Sequence, residues 1–127
     1  ECAGASLMRF IRGESPTDWR HEVHWEYDFR PYYADAGTPP PYGLSIDECS
    51  LSVIRDEKYK YVHFDALPAL FFDLEADPHQ FVNRATDPAF GGCVLEYAQK
   101  MLSWRMRNAE RTLTGYSSSP TGLLKLI

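Results

Sequence analysis

The side chains best suited to chemistry gather in one short stretch. His21, His24, Glu26 and Asp28 bring imidazoles and carboxylates together, the ligands of first-row metals and the acids and bases of hydrolysis. His24, Glu26 and Asp28 alternate, so they share one face if the segment is extended. Two residues along a strand span ~6.6 Å, so the three form a line rather than a cluster, and a metal would need a further ligand from a neighbouring strand. His63 supplies that neighbour if its strand lies beside theirs. The plainer alternative, a solvated sheet face carrying alternating charge, carries more weight, because a lone His in an aromatic-rich strand is more often packed than reactive. His79, after Asp77-Pro78, reads as a turn residue.

Nucleophiles are scarce. The chain contains no GxSxG elbow, no GxxxxGK[ST] phosphate loop and no HExxH pair. Cys49 lies between Glu48 and Ser50, and an acidic neighbour raises a thiol's pKa rather than lowering it. Cys93 falls near the start of a helix, where thiolate is favoured, but a small core residue is the simpler role. No residue is assigned a catalytic, cofactor-binding or metal-binding role on these grounds.

The elements that must hold these residues are legible from periodicity. Ser6, then Leu7, Met8, Phe10 and Ile11, then Gly13, is the grammar of a capped short helix with a glycine stop. From Glu22 to Arg30 the residues alternate: Val23, Trp25, Tyr27 and Phe29 on one face, expected to be buried, and Glu22, His24, Glu26, Asp28 and Arg30 on the other, expected to be wetter. Pro31 to Gly43, with the Pro39-Pro40-Pro41 run, carries neither helix nor ladder and reads as an irregular surface loop. Leu51, Val53 and Ile54 open a second strand, Asp56-Glu57-Lys58 is a polar turn, and Tyr59 to Phe64 returns as a third. Leu70, Phe72 and Leu74 make a fourth, ending at the turn pair Asp77-Pro78.

Asp87-Pro88 starts a helix that runs to about Arg107, with Asp87 capping free N–H groups and Pro88 where a missing N–H is harmless. Its apolar stripe is read as Phe90, Val94, Leu95, Ala98, Met101 and Leu102. Gly91-Gly92 weakens the first turn by ~1 kcal/mol per glycine, so the regular helix can begin later than Pro88. The Ser-rich stretch after Gly115 reads as a tail, with Leu123 to Ile127 apolar at its end.

At 127 residues the chain builds one modest core and not two. Lys and Arg number 13 against 18 Asp and Glu, a formal net charge of -5 that repels phosphate backbones and argues against nucleic-acid binding. No apolar run reaches the ~18 residues of a membrane span. Cys2, Cys49 and Cys93 are odd in number and widely spaced, which disfavours a disulfide framework or zinc site and points to a reducing, cytoplasmic setting. The chain begins with Glu1, and the true N-terminus is expected to be missing. The 18 aromatic residues (eight Tyr, seven Phe, three Trp) are needed first for core and interfaces, with Trp104, Tyr32, Tyr33 and Tyr42 expected at an interface.

In order, these segments resemble the C-terminal end of sulfatases of the alkaline phosphatase superfamily, most of all the branch that includes phosphonate monoester hydrolases. Gly4-Ala5-Ser6-Leu7 through Arg12-Gly13 is similar to the G-x-SL...RG segment that follows the family's catalytic core. Asp18-Trp19-Arg20 with His24-Trp25-Glu26 resembles the first strand of its C-terminal subdomain, and Ile54 to Val62 its R...KY hairpin. Leu70 to Leu74, Asp77-Pro78 and Asn83 resemble the LFDL..DP.E..N signature, the most specific match, with Gln80 where the family usually has Glu and Arg84 where Leu is common. The likeness runs from Gly4 to about Arg107.

That resemblance implies a parent enzyme whose nucleophile lies in a [CS]-x-P-x-R motif near its N-terminus and whose metal ligands lie mid-chain. Neither region is present, and Ser118-Ser119-Pro120-Thr121-Gly122 lacks the Arg of the motif. The expectation is therefore one α+β domain: a four-stranded antiparallel sheet, a long C-terminal helix on one face and a short N-terminal helix. Residues 1–20 form the linker with the short helix, 21–110 the sheet and long helix, and 111–127 the tail. The domain would partner the parent's catalytic domain and associate as a homo-oligomer, with no cofactor of its own and a divalent metal in the parent. The rival readings are a free-standing aromatic-rich module that binds a glycan or peptide, and a small metalloenzyme built on His24, Glu26, Asp28 and His63.

Overall fold

A computed structural model describes residues 5–30, 41–108 and 116–125. Its order is α1 (Met8–Ile11), β1 (Val23–Asp28), β2 (Ser50–Arg55), β3 (Tyr59–Phe64), β4 (Leu70–Asp73), a 3-10 turn at Pro88–Phe90, α2 (Gly91–Asn108), β5 (Tyr116–Ser119) and β6 (Gly122–Lys125). Strands β1 to β4 form an antiparallel meander in that order, with α2 on one face. This is the expected α+β architecture. No helix among the described residues is long and apolar enough to cross a membrane.

The local grammar acts largely as the sequence implies. The Ser6 hydroxyl accepts a bond from Met8 N–H, and Gly13, at φ +78°, turns the chain out of α1. The carboxylate of Asp56 accepts from the N–H groups of Lys58 and Tyr59 and so closes the β2–β3 turn. Asp87 accepts from Ala89 N–H at 3.0 Å. Pro88 to Phe90 form a tight turn and the regular helix starts at Gly91, the late start that the paired glycines favour.

Where α2 crosses β3 and β4 the core is aromatic. Phe71, fully buried, packs against Tyr59 at 5.1 Å, Tyr97 at 5.7 Å and Phe90 at 6.0 Å between ring centres. Ile54, Tyr61 and Met101 complete the cluster. Burial raises the pKa of the Tyr97 phenol first, the Asp56 carboxylate it donates to adds to that, and the bond ties the helix to the hairpin turn.

Three expectations are corrected. On β1 the apolar residues are not the buried ones: Val23, Trp25 and Tyr27 are 42%, 40% and 60% exposed and Phe29 is half-buried beside Phe64. On the other face Glu26, Asp28 and Arg30 are exposed as expected, and the His24 side chain, only 6% exposed, is not. The cause is register. His24 lies opposite Ile54, Ile54 opposite Tyr61 and Tyr61 opposite Phe71, so the even-numbered face of β1 is the one beneath α2. The helix stripe is also shifted, with Tyr97 and Met101 buried and Leu95 and Leu102 exposed, because the face that meets Phe71 runs through positions 90, 94, 97 and 101. Finally, the expected tail contains the hairpin β5–β6, whose turn is held by the Ser119 hydroxyl donating to the Gly122 carbonyl and accepting from Thr121 N–H, with Gly122 at φ +122°. Of the Pro-rich loop, only the turn Pro41–Gly43 is described.

The signature after β4 acts as a clasp. Asp73 accepts from the N–H groups of Glu75 and Ala76, and Asp77 from that of Val82. The Asn83 carboxamide reaches further than its own turn: its oxygen accepts from Phe71 N–H and Ala85 N–H, and its nitrogen donates to the Ala69 carbonyl. Arg84 N–H donates to the Phe71 carbonyl. One side chain thus takes the place of a neighbouring strand along the outer edge of β4.

Candidate functional site

The chemistry-bearing residues of β1 meet those of β2 and β3 where α2 ends. Because β2 lies between β1 and β3, Glu26 pairs with Ser52 and Ser52 with His63, all on the helix-side face. The two outer residues are two strand spacings apart, ~10 Å. They line a cleft of about 370 Å³ with Asp28, Ser50, Asp65 and Arg105. His63 therefore shares a face with Glu26 and Asp28, as it must for the metalloenzyme reading, but from across an intervening strand.

Two of the carboxylates in the cleft are paired with arginine. Arg105 Nε donates to Glu26 Oε1 at 2.8 Å, and the same oxygen accepts from the Ser52 hydroxyl at 3.3 Å. Arg30 pairs with Asp28, and that bond, with the Arg30 backbone N–H, holds the Asp28 carboxyl below its usual range. His63 Nδ1 lies 3.1 Å from the Tyr61 hydroxyl. Ser52, the one buried serine among the described residues, gives its proton to a carboxylate that a guanidinium already neutralises, so it is not set up as a nucleophile.

His24 is separated from this group. Its ring stacks on Trp104 at 4.7 Å, parallel to within 1°, and its Nε2 is 2.9 Å from Glu22 Oε1. Trp104, expected at an interface, is thus used inside the fold. Tyr42 is open to solvent at 80%, and Tyr32 and Tyr33 lie outside the described residues. Among the described residues no group of three His, Cys, Asp or Glu side chains stands close enough to hold a metal ion. His21 is exposed ahead of β1, and His79 lies against Phe81. Cys49 is buried with its thiol toward the Ser45 carbonyl, and Cys93 packs at the edge of the core. Cys2 lies outside the described residues.

Ser50, Ser52, Asp65 and Arg105 are the lining residues that the sequence does not single out. Ser50 and Ser52 share parity with Ile54, which would have placed them on the helix face once that face was known. Arg105 follows Trp104 at the end of the helix, and nothing in its spacing marks the strand it reaches.

No family model matches the chain. The chain is 57% identical over 122 residues to the multifunctional alkaline phosphatase superfamily protein PehA of Trinickia caryophylli, a match that covers 96% of this chain and 24% of that protein. Its homologues are alkaline phosphatase superfamily proteins. Among solved structures, the phosphonate monoester hydrolase of Agrobacterium radiobacter is similar at 38% identity and a TM-score of 0.74, covering 96% of this chain and 24% of that one. The phosphonate monoester hydrolase of Silicibacter pomeroyi follows at 30% identity and 0.73, covering 97% and 24%. A 2-O GAG sulfatase, BT1596, shares the fold at 21% identity and 0.64, covering 88% and 22%. The chain therefore spans about a quarter of the relatives it matches, and the sequence-level likeness to this superfamily agrees with what both comparisons find.

Proposed function

We propose that the chain is the C-terminal structural subdomain of a larger hydrolase, whose full-length form cleaves a sulfate, phosphonate or phosphate ester at a divalent-metal site. The observation that carries this reading is the pair of coverages: 96% of this chain matches 24% of PehA. In this reading the domain, residues 1–127, completes the parent's fold and walls one side of its active-site cleft, and the parent's catalytic domain is its partner. Self-association and a cytoplasmic setting belong to the same proposal, resting on the apolar surface and the sparse cysteines.

The pairing of Glu26 with Arg105 and of Asp28 with Arg30 supports a role in holding elements together. Ester hydrolysis needs an activated nucleophile and stabilisation of negative charge, and a divalent metal supplies the second in the parent. A general base acting alone contributes typically ~100 to 10,000-fold, and both Glu26 and Asp28 are engaged by arginine.

The test is hydrolysis of aryl sulfates and phosphonate monoesters with added manganese, zinc or calcium. We expect turnover from a protein that includes the upstream region, and none above buffer from residues 1–127. Metal-dependent turnover by the chain alone, lost in His24→Ala, would establish the small-metalloenzyme reading instead.

A further inference from the structure

The apolar residues of β1 are left open, which is unusual for an edge strand of a free-standing domain. Such a strand ordinarily turns apolar residues to its helix and polar ones to water. Here His24 and Glu26 face α2, through Trp104 and Arg105, and Val23, Trp25 and Tyr27 face away from it, 40–60% exposed. Trp25 lies opposite Val53, which is 3% exposed, so the exposed pair of rings borders an apolar surface that is already dry. Immediately before β1 in the chain, Phe10 and Ile11 of α1 are 44% and 74% exposed.

Apolar surface of this kind, rich in Trp and Tyr, marks an interface. What covers it follows from length. The chain corresponds to 24% of PehA and 24% of the Agrobacterium hydrolase, so most of the relatives' polypeptide has no counterpart here, and on the other side of the sheet the chain's own helix already covers the aromatic cluster. We infer that Val23, Trp25 and Tyr27 seat the rest of the full-length polypeptide, through an apolar surface that offers acceptors to the Trp25 indole N–H and the Tyr27 hydroxyl. This rests on the proposed parent only in requiring that a longer polypeptide exists. It assigns the sheet's outer face to the contact between domains, with Tyr27 at the border of the Glu26 cleft.

Hydroxyl-radical footprinting of the unmodified full-length protein, read by peptide mass spectrometry, tests this without any substitution. Oxidation rates at Trp25 and Tyr27 in the native protein are compared with those in denaturant, over a dilution series. Protection of about tenfold or more at both residues, independent of concentration, is the expected result for side chains in a well-packed interface. Weaker protection at either residue overturns the inference, and so does protection that fades on dilution, which would make a second copy the occupant. Ester hydrolysis is measured on the same sample. Turnover without protection sinks the contact alone, whereas protection without turnover sinks the proposed activity and leaves the contact standing.

Discussion

The two ends of α2 solve the same problem by different means. Its first half lies over β3 and β4 on a dry aromatic cluster, with Phe71 at the centre and Tyr59, Phe90 and Tyr97 around it. Its last turns lie over β1 and β2 on a ring stack and an ion pair, His24 with Trp104 and Glu26 with Arg105. Apolar burial is insensitive to salt and costly to disturb, whereas an ion pair whose partners are 57% and 48% exposed is screened and cheap to lose. Stability is therefore concentrated at the β4 end, and the β1 end is left adaptable.

The largest test of that contrast is Phe71→Ala. It empties the middle of the cluster and is expected to destabilise the chain by ~3–5 kcal/mol in chemical denaturation. A loss under about 1 kcal/mol would mean the cluster is not the stabilising centre. Next is Asn83→Ala, which strips the partner from Phe71 N–H and is expected to cost ~1–3 kcal/mol. Asn83→Asp should fall between the variant and the parent chain, because it keeps the acceptor and loses the donor to the Ala69 carbonyl.

The Tyr97 to Asp56 contact predicts a pH response. Burial is the largest single influence on Asp56 and pushes its pKa up, but the bonds from Tyr97, Tyr59 and Lys58 together outweigh it, so the folded carboxyl lies below the ordinary 3.8. A depressed carboxylate contributes stability that is present above its unfolded pKa and lost as pH falls through the folded value. Acid unfolding followed from pH 5 downward should lose this contribution between the ordinary carboxylate pKa and the lower folded one, and in Tyr97→Phe the loss should be smaller and complete at a higher pH. Identical acid profiles for the two proteins would remove Asp56 from the account. Smallest is Arg105→Ala, expected to cost ~0.2–1 kcal/mol at low salt and less as salt is added. A cost matching that of Phe71→Ala would erase the contrast between the two ends.

Much of this was legible in the sequence because it is local. Alternation over residues 22–30 marks a strand, Asp87-Pro88 marks a helix start, and Asp77-Pro78 with Asn83 marks a held turn. What alternation cannot say is which face the helix covers. The large rings Trp25 and Tyr27 stand on the odd face and only the His24 imidazole on the even one, so apolar content points the wrong way and only the pairing of His24 with Ile54 corrects it. The helix stripe holds at Phe90, Val94, Ala98 and Met101 and misses at two positions for a related reason: Leu95 and Leu102 are more apolar than Tyr97, but Tyr97 has a polar tip that Asp56 can receive. The cleft was half legible, since Glu26, Asp28 and His63 were named together, while the strand between them and the arginine that neutralises Glu26 depend on contacts distant in sequence.

The clasp on β4 also bears on how copies of the sheet can meet. A sheet with two bare edges can be extended without end, one molecule adding to the next as in a fibre. Here Asn83 and Arg84 occupy the outward-facing backbone groups of Phe71, so that edge is blocked at its centre, and among the described residues β1 is the other edge of the four-stranded sheet. Two molecules meeting at β1 would be related by a twofold axis and would present only blocked edges beyond it. The held turn after β4 thus favours a closed pair over an open filament wherever two sheets meet.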